Sequence, residues 1–158
     1  MLKLDVVLAV VMAFVAGAAS ARGDGTEVGN AVVPYHNHPG KFSISYPQHW
    51  TKTEQVAEVT VKQPEPMPNA GAVTFSAIAL EGVQTLPQLK IYVMTNEPGH
   101  WAPFQIDGHD GFIHKSNGTG LAYVVKQGGD VVRVDFQYGP TPDTAVQVDQ
   151  ILGSLQFD

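Results

Sequence analysis

The stretch of sequence that decides the fold runs Gly40-Lys-Phe-Ser-Ile-Ser-Tyr-Pro-Gln-His-Trp50. Its apolar residues alternate with polar ones and are Phe42, Ile44 and Tyr46. A period of two is typical of a β-strand that buries one face, because successive side chains of a strand point to opposite sides. Pro47 ends the strand, since proline has no N–H for the ladder. Trp50 follows after a short turn and is a large apolar group that a small domain would bury.

The segments that follow extend this pattern. Alternation of apolar residues predicts further strands at residues 56–62, 72–80, 111–115, 121–126 and 131–138. The proline-rich residues 63–71 are expected to form a long hairpin connection. Residues 86–96 show helical spacing. A second helix is predicted to start after Thr141, which suits the capping position and is followed by Pro142 at the first helical position.

Most of these strands are apolar on one face and polar on the other. The pattern predicts an α+β fold, a single antiparallel β-sheet with helices packed on its apolar face. Nine residues that share the alternation are expected to lie in its core: Phe42, Ile44, Tyr46, Val59, Val61, Phe75, Val132, Val134 and Phe136.

The first residues of the chain have the features of a targeting segment. Residues 6–18 form an apolar run, and residues 19–21 form a small-x-small cleavage site. We therefore expect a signal peptide at residues 1–21, a flexible leader at 22–34 and one domain at 35–158. An uncleaved anchor is the alternative, but the apolar run is shorter than the roughly 20 residues that a spanning helix needs.

The composition narrows the location and the class of partner. The chain has no cysteine, which excludes disulfides, cysteine-ligated metals and a lipid anchor on cysteine, and which favours a bacterial periplasm. Its formal net charge is −6 at pH 7, so it lacks the basic footprint of a protein that binds nucleic acid or an anionic membrane surface. We expect a periplasmic or secreted protein that is soluble after cleavage, without a direct membrane anchor.

The two ends of the predicted domain resemble a known family. The opening pattern Gly-x-Phe-Ser-x-x-Tyr-Pro-x-x-Trp at residues 40–50 and the closing pattern Ile-Leu-x-Ser-Leu-x-Phe at residues 151–157 are similar to the PsbP-like / Mog1 / DcrB superfamily. The resemblance implies an α/β sandwich with a central antiparallel sheet, in proteins that are mostly not enzymes. Because the chain has a signal-peptide pattern and no lipobox cysteine, the resemblance points to the exported bacterial branch.

Two histidines invite a metal-site hypothesis. His36 and His38 are separated by one residue, so on an extended segment both side chains lie on one side. Imidazoles suit Zn²⁺, Cu²⁺ or Ni²⁺, but a tight zinc site needs about three or four ligands. The sequence does not supply the others. A solvated loop before the first strand is the alternative, and no cofactor is predicted.

A second cluster suggests acid–base chemistry. On a strand, Asp110 and His114 share a face and His109 lies opposite. A carboxylate that orients a histidine can serve a hydrolase. No nucleophile motif accompanies the pair, so a polar strand edge is the competing interpretation.

Loops supply the candidates for contact with a partner. His100 and Trp101 follow Pro98-Gly99, and Pro66 and Met67 lie in the proline-rich loop. Loops on a rigid scaffold commonly carry function. We expect a non-catalytic binding or accessory protein of the cell envelope with an envelope protein as partner. The alternatives are a periplasmic protein that binds a small molecule or a metal ion, and a hydrolase that uses Asp110 and His114.

Overall fold

The computed structural model describes residues 31–64, 69–126 and 128–158. Within these ranges the chain forms ten strands and two helices. Their order and bounds are β1 Val32–Asn37, β2 Phe42–Pro47, β3 Thr51–Gln55, β4 Glu58–Lys62, β5 Ala72–Ile78, α1 Leu86–Asn96, β6 Ala102–Ile106, β7 His109–Ser116, β8 Thr119–Val125, β9 Val131–Gln137, α2 Pro142–Gly153 and β10 Gln156–Phe157. Neither helix in this part of the chain is long and apolar enough to cross a membrane.

The strands form two sheets, so the prediction of a single sheet was wrong. A seven-stranded sheet has the order β3-β4-β5-β9-β8-β7-β6, and a three-stranded sheet has the order β1-β2-β10. All the pairings are antiparallel, as predicted. The separation arises at Pro47, because β2 pairs with β1 and with the distant β10 and not with β3, its neighbour in sequence.

The strand pairing in the small sheet explains why Ser43, Ser45 and Pro47 occupy alternate positions of β2. The N–H of Gln48 donates to the carbonyl of Ala31, which fixes which residues of the pair face each other. Ser43, Ser45 and Pro47 then direct their backbone groups away from β1. Ser43 pairs with Gln156 of β10, and Pro47 has no N–H that would need a partner.

Ser154 completes the edge of β2 between these two positions. Its hydroxyl oxygen accepts a hydrogen bond from the N–H of Ser45 at 2.8 Å. The hydroxyl also lies within donating distance of the carbonyls of Ser45, at 3.0 Å, and Ile151, at 2.7 Å. A side chain thus continues the ladder where β10 no longer does, and it fixes the end of α2 to the small sheet.

The main core lies between the large sheet on one side and the small sheet and α2 on the other. All nine residues predicted from the alternation are buried in it, which confirms that expectation. Three of them, Phe42, Ile44 and Tyr46, belong to the small sheet. A second cluster lies on the opposite face of the large sheet, under α1, and includes Leu89, Val93, Phe112 and Tyr123. Helices therefore cover parts of both faces.

Both helices lie where the sequence predicts them. The first spans residues 86–96 and packs Leu89 and Val93 against the large sheet. The second begins with Pro142 after Thr141, whose side chain accepts a hydrogen bond from the N–H of Thr144. Asp143 lies in its first turn, where a carboxylate interacts favourably with the helix dipole.

The alternation of apolar residues did not predict four of the strands. One of them, β1, begins before the predicted start of the domain at residue 35. β1 begins at Val32, inside the segment 22–34 that the sequence assigns to a flexible leader. Because of Pro34, the sequence pattern does not indicate a strand here. A proline is nevertheless tolerated, since its backbone faces away from β2, on the outer edge of the sheet. The remaining three are the fully exposed β3, the edge strand β6 and the two-residue β10.

The loop between β4 and β5 is a hairpin connection, as predicted. Lys62 pairs with Ala72, and the N–H of Gln63 donates to the carbonyl of Gly71 at 2.9 Å. Residues 65–68 of this loop lie outside the described residues.

Replacement of Trp50 by alanine should lower the free energy of unfolding by about 3–5 kcal/mol, the usual cost of truncating a buried aromatic side chain. The indole is 4% exposed, and its N–H donates to the side-chain oxygen of Gln147 on α2 at 3.1 Å. Chemical denaturation measures the change. Val56→Ala is the matched control, because Val56 is exposed. A parental denaturation midpoint for Trp50→Ala would show that the indole is not part of the core.

Candidate functional site

Three contacts position the side chain of His114 on β7. Its Nδ1 lies 2.9 Å from the carbonyl oxygen of His100. Its ring contacts the ring of Trp101, with 5.7 Å between centroids. Gly99 passes so close that a Cβ there would lie 2.5 Å from a ring atom of His114. The loop after α1 therefore holds this imidazole in one orientation.

Trp101, a candidate partner contact, is buried. Only 9% of the residue is exposed. The indole N–H donates to the carbonyl of Glu97 at 3.2 Å, and the ring lies 5.8 Å from that of Tyr123. The physical reason is that α1 and the large sheet offer an apolar surface on which the loop can bury its largest side chain. Its neighbour His100 is exposed, so this candidate contact residue stays available.

Tyr123 on β8 holds the start of the same loop, at the end of α1. Its hydroxyl donates to a carboxylate oxygen of Glu97 at 2.7 Å. Burial, followed by this hydrogen bond, raises the pKa of Tyr123 well above its ordinary value. The ring also lies beneath the guanidinium of Arg133, at 5.9 Å. Tyr123 is thus a neutral hydrogen-bond donor that fixes the end of α1 to the sheet.

A groove of about 430 Å³ opens beside His114, on the part of the sheet that α1 does not cover. Its floor crosses β7, β8, β9 and β5, and the cross-strand register brings His114, Leu121, Asp135 and Thr74 into one row. Six of the ten described lining residues have polar side chains, among them Ser116, Thr119 and Gln137, and Leu121 and Phe136 add apolar surface. The arrangement can hydrogen-bond a small polar molecule.

Asp110 and His114 do not form the pair that the hydrolase hypothesis requires. They share a face of β7, as the sequence predicts, but four residues along a strand span about 13 Å. Asp110 instead accepts a hydrogen bond from the side chain of Gln105 at 3.0 Å. His109 lies on the other face, where its ring contacts that of Phe157.

His36 and His38 do come together. Their ring centroids are 4.1 Å apart. The Nε2 of His36 lies 3.2 Å from Oδ2 of Asp158, and its Nδ1 lies 3.1 Å from the hydroxyl of Ser43. Within residues 31–64, 69–126 and 128–158, however, no group of three or more histidine and acidic side chains is arranged to hold a metal ion.

Two exposed apolar residues on α1 were missed by sequence reasoning. Ile91 is 67% exposed and Met94 is 63% exposed. They lie about one helical turn apart, on the side away from Leu89 and Val93. The sequence could have indicated them, because Ile91 and Met94 are apolar but lie outside the stripe of the helix that is buried on the sheet. The other predicted contact residues, Pro66 and Met67, lie outside the described residues.

A second groove, of about 400 Å³, lies between the small sheet and α2. Val32, Pro47 and Gln150 are among the residues that line it. None of the described residues that line it has a titratable side chain, so we assign it no chemistry.

Comparison with known proteins supports the fold. No protein-family model and no curated protein matches the chain. The solution structure of cyanobacterial PsbP (CyanoP) from Synechocystis sp. PCC 6803 is similar, with a TM-score of 0.51 and 12% identity over 90% of this chain and 99% of that one. A crystal structure from Bacteroides thetaiotaomicron VPI-5482 is also similar, with a TM-score of 0.51 and 16% identity over 79% of this chain.

The chain spans about half of the Bacteroides protein, 48% of its length. At these identities the likeness concerns the fold alone. The described part of the chain has a PsbP-like fold of two helices and antiparallel sheets, which confirms at that level the resemblance seen at residues 40–50 and 151–157.

The double replacement His36→Ala with His38→Ala should change the free energy of unfolding by no more than about 1 kcal/mol, because an exposed ion pair contributes little. Zn²⁺ should bind the parent protein weakly, since two imidazoles fall short of a complete ligand set. Denaturation and calorimetry measure the two quantities. His49→Ala, at another exposed histidine, is the control. A submicromolar zinc site that disappears only in the double variant would contradict this expectation.

Proposed function

We propose that the chain is an exported, non-catalytic accessory protein that binds a protein of the cell envelope through the outer face of α1. Export is supported by the signal-peptide pattern of residues 1–21 and by the absence of cysteine from the sequence. A non-catalytic role is supported by the resemblance to a superfamily whose members are mostly not enzymes, and by the separation of Asp110 from His114.

The exposed pair of Ile91 and Met94 carries the proposal. Exposed apolar side chains that are clustered mark protein–protein contact sites more often than isolated ones. Burial of each by a partner would contribute about 1.5–3 kcal/mol. The opposite face of α1 is packed on the sheet through Leu89 and Val93, so the helix is a rigid platform. The exposed His100 in the loop after α1 adds a polar group next to this platform.

Metal binding is the second candidate function, and one observation favours it. The rings of His36 and His38 lie together, with a carboxylate oxygen of Asp158 beside His36. In this alternative the edge of the small sheet would hold a transition-metal ion of the kind that imidazole prefers. The zinc titration described above distinguishes this function from protein binding.

The double replacement Ile91→Lys with Met94→Lys should abolish recovery of the partner from the envelope fraction while the fold is retained. Lysine is a good helix former and is readily solvated, so stability should change by only about 0.5 kcal/mol. Affinity capture with the purified variants, compared with circular dichroism, measures both effects. Val146→Lys is the matched control, since Val146 is an apolar residue of α2 that is 55% exposed.

Two results would contradict the proposed contact. One is full partner recovery by the Ile91/Met94 variant. The other is equal loss of recovery by the control at Val146, which would show that any added lysine disturbs the interaction. In either case α1 would not be the contact surface.

Osmotic shock should release the protein, and any association with membranes should be lost when membrane proteins are first stripped by protease. The formal charge of −6 makes direct binding to anionic lipid unfavourable. Fractionation of cells, with and without protease treatment of the membranes, measures the distribution. Undiminished binding to protein-free vesicles would refute attachment through a protein partner and would favour the uncleaved anchor.

A further inference from the structure

The groove beside His114 has the volume and the chemistry of a small-molecule site. We propose that it binds a small, neutral, hydroxyl-rich ligand such as a sugar, with His114 as the central hydrogen-bond acceptor. Its volume of about 430 Å³ lies within the range of about 300–1,000 Å³ that small-molecule sites span. This function is separate from protein binding through α1.

His114 is prepared for this role by its surroundings. The carbonyl of His100 can only accept a hydrogen bond, so the neutral imidazole carries its proton on Nδ1. Nε2 then holds the lone pair. No described residue donates a hydrogen bond to that nitrogen. The contact with Trp101 and the close approach of Gly99 keep the ring in place, so a ligand would not have to order it.

The charges of the residues at the groove favour a neutral ligand over an anionic one. Asp135 is the carboxylate of the lining, and the guanidinium of Arg133 binds both of its oxygens at 2.8 Å. Its charge is therefore compensated, while its remaining lone pairs can still accept from hydroxyl groups. No lysine or arginine is among the described residues that line the groove, so the lining itself offers no cation to a phosphate or a carboxylate.

The uncharged polar side chains of the lining match a molecule that has many hydroxyl groups. The side chains of Ser116 and Gln137 line the groove and make no hydrogen bond to any described residue, so both can donate to or accept from a ligand. Leu121 supplies an apolar patch in the same row as His114. Sugars present both kinds of surface, since their ring C–H groups alternate with hydroxyls.

Titration of the purified protein with glucose, N-acetylglucosamine and sucrose, each separately and followed by amide NMR spectra, tests the proposal. At least one sugar should produce saturable shifts centred on Thr119, Leu121 and Gln137. His114→Phe keeps an aromatic ring against Trp101 but removes Nε2, and Gln137→Leu removes the amide. Each variant should weaken binding by about two- to tenfold, the usual effect of one lost hydrogen bond.

Thr53→Val is the matched control, because Thr53 lies on the same face of the sheet but on β3, outside the groove. It should bind like the parent. Should His114→Phe fail to fold, Gln137→Leu alone decides. The proposal is overturned if none of the three sugars gives saturable shifts, if the shifts are centred away from the groove, or if the folded groove variants bind with the parental affinity.

Discussion

The hydrogen bonds between Ser154 and the backbone of Ser45 are the constraint on which the architecture depends. They join the end of α2 to β2 and so turn a helix and a three-stranded sheet into one continuous layer. That layer covers the apolar face of the large sheet and encloses the main core. Without the hydroxyl, the N–H and carbonyl of Ser45 would lack their partner, at a cost of about 1–3 kcal/mol for each group that stays buried.

Local patterns predicted most of the secondary structure, because they record burial on one face. The alternation in β2 and the capping residues before α2 are examples, and both were confirmed. The division into two sheets could not be predicted in this way. It depends on the pairing of β2 with β10, whose two residues are too few to show any period. The exposed β3 has no buried side chain, so it leaves no apolar signal either.

The candidate sites, like the fold, were predicted only in part from the sequence. Sequence reasoning joined His114 to Asp110, since both lie on one face of a strand. The contacts of His114 come instead from the loop that contains Gly99 and Trp101, which folds back over β7. Residues that meet across strands or from a distant loop carry no fixed spacing in the sequence. By contrast, His36 and His38 are close in space because they are close in the chain, and that juxtaposition was predicted.

The apolar residues of α1 lie on two opposite sides of the helix. Leu89 and Val93 attach it to the sheet, whereas Ile91 is 67% exposed and Met94 is 63% exposed. A helix that served only to cover the sheet would carry polar residues on its outer side. The same sheet face is left open beyond the helix, where six of the ten described lining residues have polar side chains. This side of the large sheet therefore carries an exposed apolar pair on α1 and an open groove with several polar side chains.

The contact between Ser45 and Ser154 joins residues that are 109 positions apart in the chain. Such a separation adds loop-closure entropy to the cost of completing the second edge of β2 and makes that edge slow to form. During synthesis, β2 would emerge long before the residues that complete its second edge. Its apolar face would then be exposed until the last part of the domain leaves the ribosome. The domain therefore cannot close its main core until its last residues are available, so its folding is tied to the completion of the chain.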